Sequence, residues 1–234
     1  MAYSFEPIGI VHSCFAEKFA IPRQPLLAPA AQGVIELYPP YDKPEAVAGL
    51  EGVSHLWLLF VFHAAASGDA HLRVRPPRLG GNRRIGVFAS RATHRPNPIG
   101  QSVVKLDGIA DGRLLISGLD ILDGTPLLDI KPYVPYADSI PSASNALAGL
   151  PPAPIEISWS DQALTQASAE ARRLDRPVVA LIEQCLAQDP KPAYQKPSPS
   201  REYGGRFWDL NVRWHYLDSS LLRILSVERV DPTH

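Results

Sequence analysis

Through the first 135 residues, apolar and polar positions alternate over short runs, and glycine, proline or Asp-Gly closes each run. A period of two fits strands that bury one face. Phe5 to Phe15, with Ile8, Ile10 and Val11, predicts a first strand, and Gly33 to Tyr38 (GVIELY) a second. Lys43 to Leu50 predicts a short helix. Val53 to His63 (VSHLWLLFVFH) is almost continuously apolar, which predicts a central strand buried on both faces. Ile85 to Ser90 predicts a short strand. Ile99 to Ile109 and Arg113 to Leu119 predict a pair joined by Ala110-Asp111-Gly112, a hairpin signal. Leu119 to Thr125 ends in an Asp-Gly turn, and Leu127 to Tyr133 predicts a further strand. Short strands with frequent turns indicate an all-β barrel or sandwich.

The pattern changes after Asp138. Asp138 to Pro154 is rich in Pro, Ser and Ala and reads as a linker or surface segment. Ser160 to Leu174 predicts a helix, with Ser160 or Asp161 as N-cap. Asp175 and Pro177 open a second helix, in which Val178, Leu181, Ile182, Cys185 and Leu186 recur at helical spacing. Asp189-Pro190 stops it, and Gln188 to Arg201 is a proline-rich basic loop. Phe207 to Tyr216 and Leu221 to Val230 predict a hairpin around Asp218-Ser219-Ser220. The predicted fold class is mainly β: an N-terminal antiparallel barrel over 1–140, a linker over 141–158 and a small α+β unit over 159–234.

Composition narrows the function classes. The chain has 234 residues and a net charge of -1, so nothing global draws it to nucleic acid. Charge is instead segregated along the chain. Arg73, Arg75, Arg78, Arg83, Arg84, Arg91 and Arg95 crowd a stretch with no Asp or Glu, whereas Asp107, Asp111, Asp120, Asp123, Asp129 and Asp138 follow it. Guanidinium forks suit carboxylate and phosphate, although such a run is equally compatible with a solvated basic face. Cys14 and Cys185 are far apart and imply no disulfide framework. The start does not read as a signal peptide, and Leu56 to Ala66 is too short to span a bilayer, so a cytoplasmic protein is expected. His55 and His63 could share a strand face, but no third ligand accompanies them and no metal is expected.

Several catalytic signatures are missing: there is no P-loop, no G-x-G-x-x-G before a helix, no G-x-S-x-G, no C-x-x-C and no H-E-x-x-H. What remains is the arginine stretch, a PRQ loop, an aromatic strand ending in His63, and the turns LDGT and IKPY.

The segments FAIPRQP, GVSHLWLLFVFH, VRPPRLGGNRRIGVFASRATHRPNPIGQS, LDGTPLLDIKPYVPYADS and QDPKPAYQK closely resemble the TsaA-like (TrmO) family of tRNA methyltransferases, over essentially the whole chain. The resemblance implies a β-barrel that binds S-adenosylmethionine without a Rossmann sheet, a small C-terminal domain and a homodimer. It implies N6-methylation of threonylcarbamoyladenosine beside the anticodon of threonine tRNA. It also implies that Pro22, Arg23, Gln24, Phe62, His63, Arg91, Gln101, Leu122, Asp123, Gly124 and Thr125 line the cofactor site.

The carbamoylated acceptor nitrogen is a poor nucleophile, so a nearby base would help. The candidates are Asp129 and Asp138, with Lys131 and Tyr133 as orienting groups; Asp129 could equally pair with Lys131 and only support its loop. RNA phosphates call for Lys and Arg. The candidates are Arg83, Arg84 and Arg95, which are open between phosphate contact and structural pairing, and Lys191, Lys196 and Arg201, with Tyr194 for stacking. A methyltransferase with another acceptor, and an RNA-binding barrel that does no chemistry, are the rival readings.

Overall fold

The computed structural model describes residues 3–65, 72–76, 84–191 and 195–230. Of the candidate residues, Arg83 and Tyr194 lie outside them. Six strands close into an antiparallel barrel: β1 (Gly9–Ser13), β2 (Gln32–Leu37), β3 (His55–Val61), β6 (Ile99–Ala110), β7 (Arg113–Ser117) and β8 (Thr125–Pro132). Their order around the wall is β1-β2-β7-β6-β3-β8. The pair β4 (Arg73–Val74) and β5 (Ile85–Gly86) forms a separate ribbon, followed by a 3-10 turn over Val87–Ala89 where a longer strand was expected. Short helices α1 (Pro44–Val47) and α2 (Pro135–Asp138) cover connections.

Closure explains the burial pattern. Val11, Ile35, Leu56, Leu58, Val104, Leu114, Ile116 and Leu127 are all buried. Burial in β3 alternates strictly: Leu56, Leu58 and Phe60 are buried, whereas Trp57, Leu59 and Val61 are only half-buried. The apolar run therefore does not mark a strand buried on both faces. A barrel wall has one inner face, and the outer apolar residues of β3 serve the rim described below. Gly100 on β6 is required by close approach, because a Cβ there would lie 2.3 Å from the Phe60 ring. His55 and His63 stand at opposite ends of β3, and among the described residues no group of His, Cys, Asp or Glu is arranged to hold a metal.

The C-terminal part is a four-stranded sheet in the order β10-β11-β12-β9, from β9 (Glu156–Trp159), β10 (Glu202–Phe207), β11 (Leu210–Tyr216) and β12 (Leu221–Arg229). Helix α3 (Asp161–Leu174) packs on β12, and α4 (Val178–Leu186) packs on α3. Ser160 caps α3, its Oγ accepting from the Ala163 amide at 3.1 Å. Two strands escape the sequence pattern. β9 begins inside the expected linker and pairs in parallel with β12, and β10 carries Gly204 and Gly205 because Trp214 presses on the latter.

One apolar cluster runs through both parts. Phe15 bridges to Phe207, and the Trp208 amide donates to the Cys14 carbonyl at 2.8 Å. Cys14 and Cys185 are free and buried, and burial pushes the Cys14 thiol up to about 12. Among the described residues, no helix is long and apolar enough to cross a membrane.

Candidate active site

Strand β3 ends, and strands β6 and β8 begin, at the same end of the barrel. There the Pro22–Pro25 loop, Phe62–Ala65, Ser90–Arg95 and the turn 120–125 surround a cavity of about 630 Å³. This volume suits a nucleoside-sized ligand. The structure brings Pro22, Arg23, Gln24, Phe62, His63, Arg91, Gln101, Leu122 and Thr125 together on its lining. Arg91 Nη1 donates to Gln24 Oε1 at 2.6 Å, which ties the arginine stretch to the PRQ loop. Phe62 meets Phe60 edge-on with centroids 5.4 Å apart. Thr125 Oγ1 donates to the Leu122 carbonyl at 2.7 Å and lies 3.3 Å from His63 Nδ1, fixing turn and strand end together.

Asp123 and Gly124 do not reach the lining. Asp123 Oδ1 accepts from the Ser13 amide at 2.8 Å, and the Gly124 amide donates to the Val11 carbonyl at 3.0 Å. The turn needs Gly124 for its φ of 73°, so these two residues shape the turn and anchor it to β1.

The basic candidates divide. Arg95 lines the cavity and donates to the Ser90 carbonyl at 2.6 Å, bracing its own loop. Arg84 is exposed, as are Lys196 and Arg201. Lys191 is not a surface cation: it is 7% exposed, and its Nζ lies 2.7 Å from Asp189 Oδ2 and 5.0 Å from the Tyr216 ring centre. Its amine is thus engaged in an ion pair with the half-buried Asp189 rather than presented to solvent as a phosphate contact would need. The same loop serves the cavity from behind, because Arg23 Nη2 donates to the Asp189 carbonyl at 2.9 Å.

The candidate bases stand outside the cavity, on the rim. Across the wall, Gln101 pairs with Leu59 and Leu59 with Asp129, so these three share a row on one face. Asp129 thus lies two strand spacings, roughly 10 Å, from Gln101. Its Oδ2 is 2.7 Å from Lys131 Nζ, and its Oδ1 accepts from the Ile130 amide at 2.9 Å. In the next row, Trp57 faces Lys131. Trp57 lines the cavity, donates from Nε1 to Asp138 Oδ2 at 3.0 Å and packs on Tyr133 at 5.8 Å. Asp138 also accepts from the Val134 amide at 2.8 Å, so its carboxylate orients Trp57.

Sequence reasoning missed Asp120 as a site residue. It lies on the cavity wall between buried Leu119 and Ile121, and Ser102 Oγ donates to its Oδ1 at 2.6 Å. An Asp flanked by two core residues was the available signal. Burial pushes its carboxyl up to about 6, against the opposing pull of the Ser102 hydrogen bond, its own backbone amide and the charge of Arg91. Lys18, Arg23, Arg95 and His63 line the same cavity. The unfolded chain loses this proton near the ordinary Asp value, while the folded chain holds it to about 6. Stability therefore falls as pH rises from about 4 to about 6 and stays lowered above that. Asp120→Asn removes the penalty. It is expected to raise stability at pH 7.5 by about 1–2 kcal/mol, a few degrees in Tm, and to do nothing at pH 4. Thermal scans at the two pH values check this, and a lower Tm at pH 7.5 would contradict it.

The chain matches the model of the tRNA-methyltransferase O N-terminal domain over residues 10–139 and that of the TrmO C-terminal domain over 152–230. It is 63% identical to the RcsF protein of Pseudomonas aeruginosa, over 97% of this chain and 98% of that one. It is 45% identical to the tRNA (adenine(37)-N6)-methyltransferase of Escherichia coli K12, covering 93% of this chain and 95% of that one. A crystal structure of TrmO from Pseudomonas aeruginosa superposes with a TM-score of 0.86 at 56% identity, covering 97% of this chain and 99% of that chain. With the barrel, the cavity at its end and both domain matches in place, the chain belongs to the TrmO family.

Proposed function

We propose that the chain is an S-adenosylmethionine-dependent tRNA (adenine-N6)-methyltransferase that N6-methylates threonylcarbamoyladenosine beside the anticodon of threonine tRNA. It works in the cytoplasm as a homodimer, with residues 1–140 as the catalytic barrel and a small second domain that begins at β9 rather than at 159, after a linker shorter than 141–158. The observation that carries the reading is the single cavity that collects the PRQ loop, Phe62, His63, Arg91, Leu122 and Thr125.

The residues fit the cofactor chemically. S-adenosylmethionine, when bound, supplies an electrophilic methyl group on a positively charged sulfur. Arg23 and Arg91 offer donors for its carboxylate, Phe60 and Phe62 offer apolar ring surface, and Leu122 and Thr125 of the turn offer polar groups to an adenosine. Asp120 is a half-buried acid on the lining that also carries these cations.

The acceptor base lies over the rim formed by Trp57, Gln101 and Asp129. Trp57, held by Asp138, presents an indole face for stacking. Asp129, fixed by Lys131 and the Ile130 amide, takes the proton from the acceptor nitrogen. Lys131 and Tyr133 orient Asp129 and Trp57 rather than react. The exposed Arg84, Lys196 and Arg201 hold phosphates, joined by Arg83 as a further phosphate contact and Tyr194 as a stacking residue, both of which lie outside the described residues.

Methyl transfer from labelled S-adenosylmethionine to threonine tRNA, with and without the threonylcarbamoyl group, tests the proposal. Label is expected only in the pre-modified tRNA. Equal label in tRNA lacking the group would assign a different acceptor, and no label in either would remove tRNA methylation altogether.

A further inference from the structure

We propose that Asp120 is the counter-charge to the sulfonium of the methyl donor, and that it lets the cavity tell the charged donor from the neutral thioether left after transfer. The inference rests on S-adenosylmethionine being the ligand of this cavity.

The charge inventory of the lining leads there. Among the described lining residues, Lys18, Arg23, Arg91 and Arg95 are cations and Asp120 is the only carboxylate. That excess of positive charge suits the donor's own carboxylate. It is hostile to a sulfonium, which carries a full positive charge and no hydrogen to donate. Electrostatics therefore dominates the recognition of a sulfonium, and a carboxylate partly withdrawn from solvent acts strongly on it.

Placement favours the sulfonium over the donor's ammonium. The sulfur is the middle of the donor, between the amino-acid end and the adenosine. Asp120 is linked to both of the corresponding parts of the lining. It is two residues ahead of Leu122 in the turn proposed for the adenosine, and it feels the charge of Arg91 in the wall proposed for the carboxylate. The Ser102 hydroxyl, itself 3% exposed, holds one carboxylate oxygen at 2.6 Å, so the group is positioned in advance. The arrangement also suits turnover. Once the methyl group has left, the sulfur is neutral and this attraction to the spent ligand is gone.

Calorimetric titration with S-adenosylmethionine and with S-adenosylhomocysteine, for wild type and Asp120→Asn at pH 7.5, reads the effect directly. The variant is expected to lose affinity for the donor about 30-fold or more, as when one partner of a buried charge pair is truncated, and to change affinity for the thioether by less than about 3-fold. Equal losses for both ligands would assign Asp120 to a part they share and overturn the inference, as would no loss for either. If wild type binds neither ligand, it is the reading of the cavity that fails. A second measurement needs no variant. Protonation of Asp120 should lower the donor-to-thioether affinity ratio of wild type about tenfold from pH 7.5 to 5, because Arg91, Arg23, Arg95, Lys18 and His63 act on both ligands through their common parts. A ratio that stays flat over that range would overturn the inference.

Discussion

Asp129→Asn is expected to slow methyl transfer about 10²–10⁴-fold while leaving the Kd for S-adenosylmethionine unchanged, the range that loss of a positioned general base gives. The split follows from where the residue sits. Asp129 is on the rim, in the row Gln101–Leu59–Asp129, and does not line the cavity. The acceptor nitrogen is flanked by a carbonyl, so its lone pair is withdrawn and its N–H is acidified. As the new C–N bond forms, that proton must go somewhere, and Asp129 offers a carboxylate fixed on both oxygens by Lys131 and the Ile130 amide.

The variant tests this cleanly. The Asp129–Lys131 pair is exposed, and such pairs contribute about 0–1 kcal/mol, so Asn at 129 leaves the fold intact. It keeps an oxygen for the Ile130 amide and loses the charge that pairs with Lys131 together with the ability to take a proton. Single-turnover rates with pre-modified threonine tRNA, beside calorimetry for the cofactor, separate the cases. Parallel loss of rate and of cofactor affinity would make Asp129 a support for the cavity, and an unchanged rate would remove it from the chemistry.

Much of the barrel was legible because its strands alternate and its turns carry Asp-Gly, as at Asp111-Gly112 and Asp123-Gly124. Helices α3 and α4 were legible for the same kind of reason, a clear period and a Ser160 cap. The partners that set burial were not. Val53 to His63 reads as doubly buried because its outer residues are apolar too. Only closure of the sheet shows that Trp57 and Leu59 point to a rim. β9 and β10 lack a strand-like run of their own and depend on pairing with β12 and β11. In the site, the PRQ, Phe62-His63 and LDGT blocks came from resemblance to a family, which assigns segments rather than side-chain directions. Asp123 illustrates the gap: it sits in a turn whose Leu122 and Thr125 line the cavity, but its carboxylate is held by the Ser13 amide and does not reach the lining. Asp120 illustrates the converse, since a carboxylate among core residues signals function only once the cavity beside it is seen.

Lys191→Ala is expected to destabilise the protein by about 2 kcal/mol, less than a fully buried pair loses when one partner is removed, because the Asp189 side chain is one-third exposed. At this chain length that is a fall in Tm of about 4–8 °C. A phosphate-binding lysine on the surface would contribute almost nothing to stability. Lys191 Nζ instead neutralises Asp189 beside the fully buried Tyr216, whose hydroxyl is pushed up by burial and by the Asp189 charge. Without the lysine, the Asp189 carboxylate faces Tyr216 with no cation. The effect reaches the cavity as well, because the Asp189 carbonyl receives Arg23 Nη2 and Gln188 Oε1 accepts from the Arg23 amide at 3.4 Å. Cofactor affinity should therefore fall with stability, whereas the salt dependence of tRNA binding should keep its slope. A phosphate contact makes the opposite prediction: an unchanged Tm and a slope reduced by about one unit. The double variant Asp189→Asn with Lys191→Met removes both charges at once and should recover part of the lost Tm, since the damage comes from the unpaired carboxylate rather than from the missing lysine. A double variant no more stable than Lys191→Ala would place the loss in packing against Tyr216 instead.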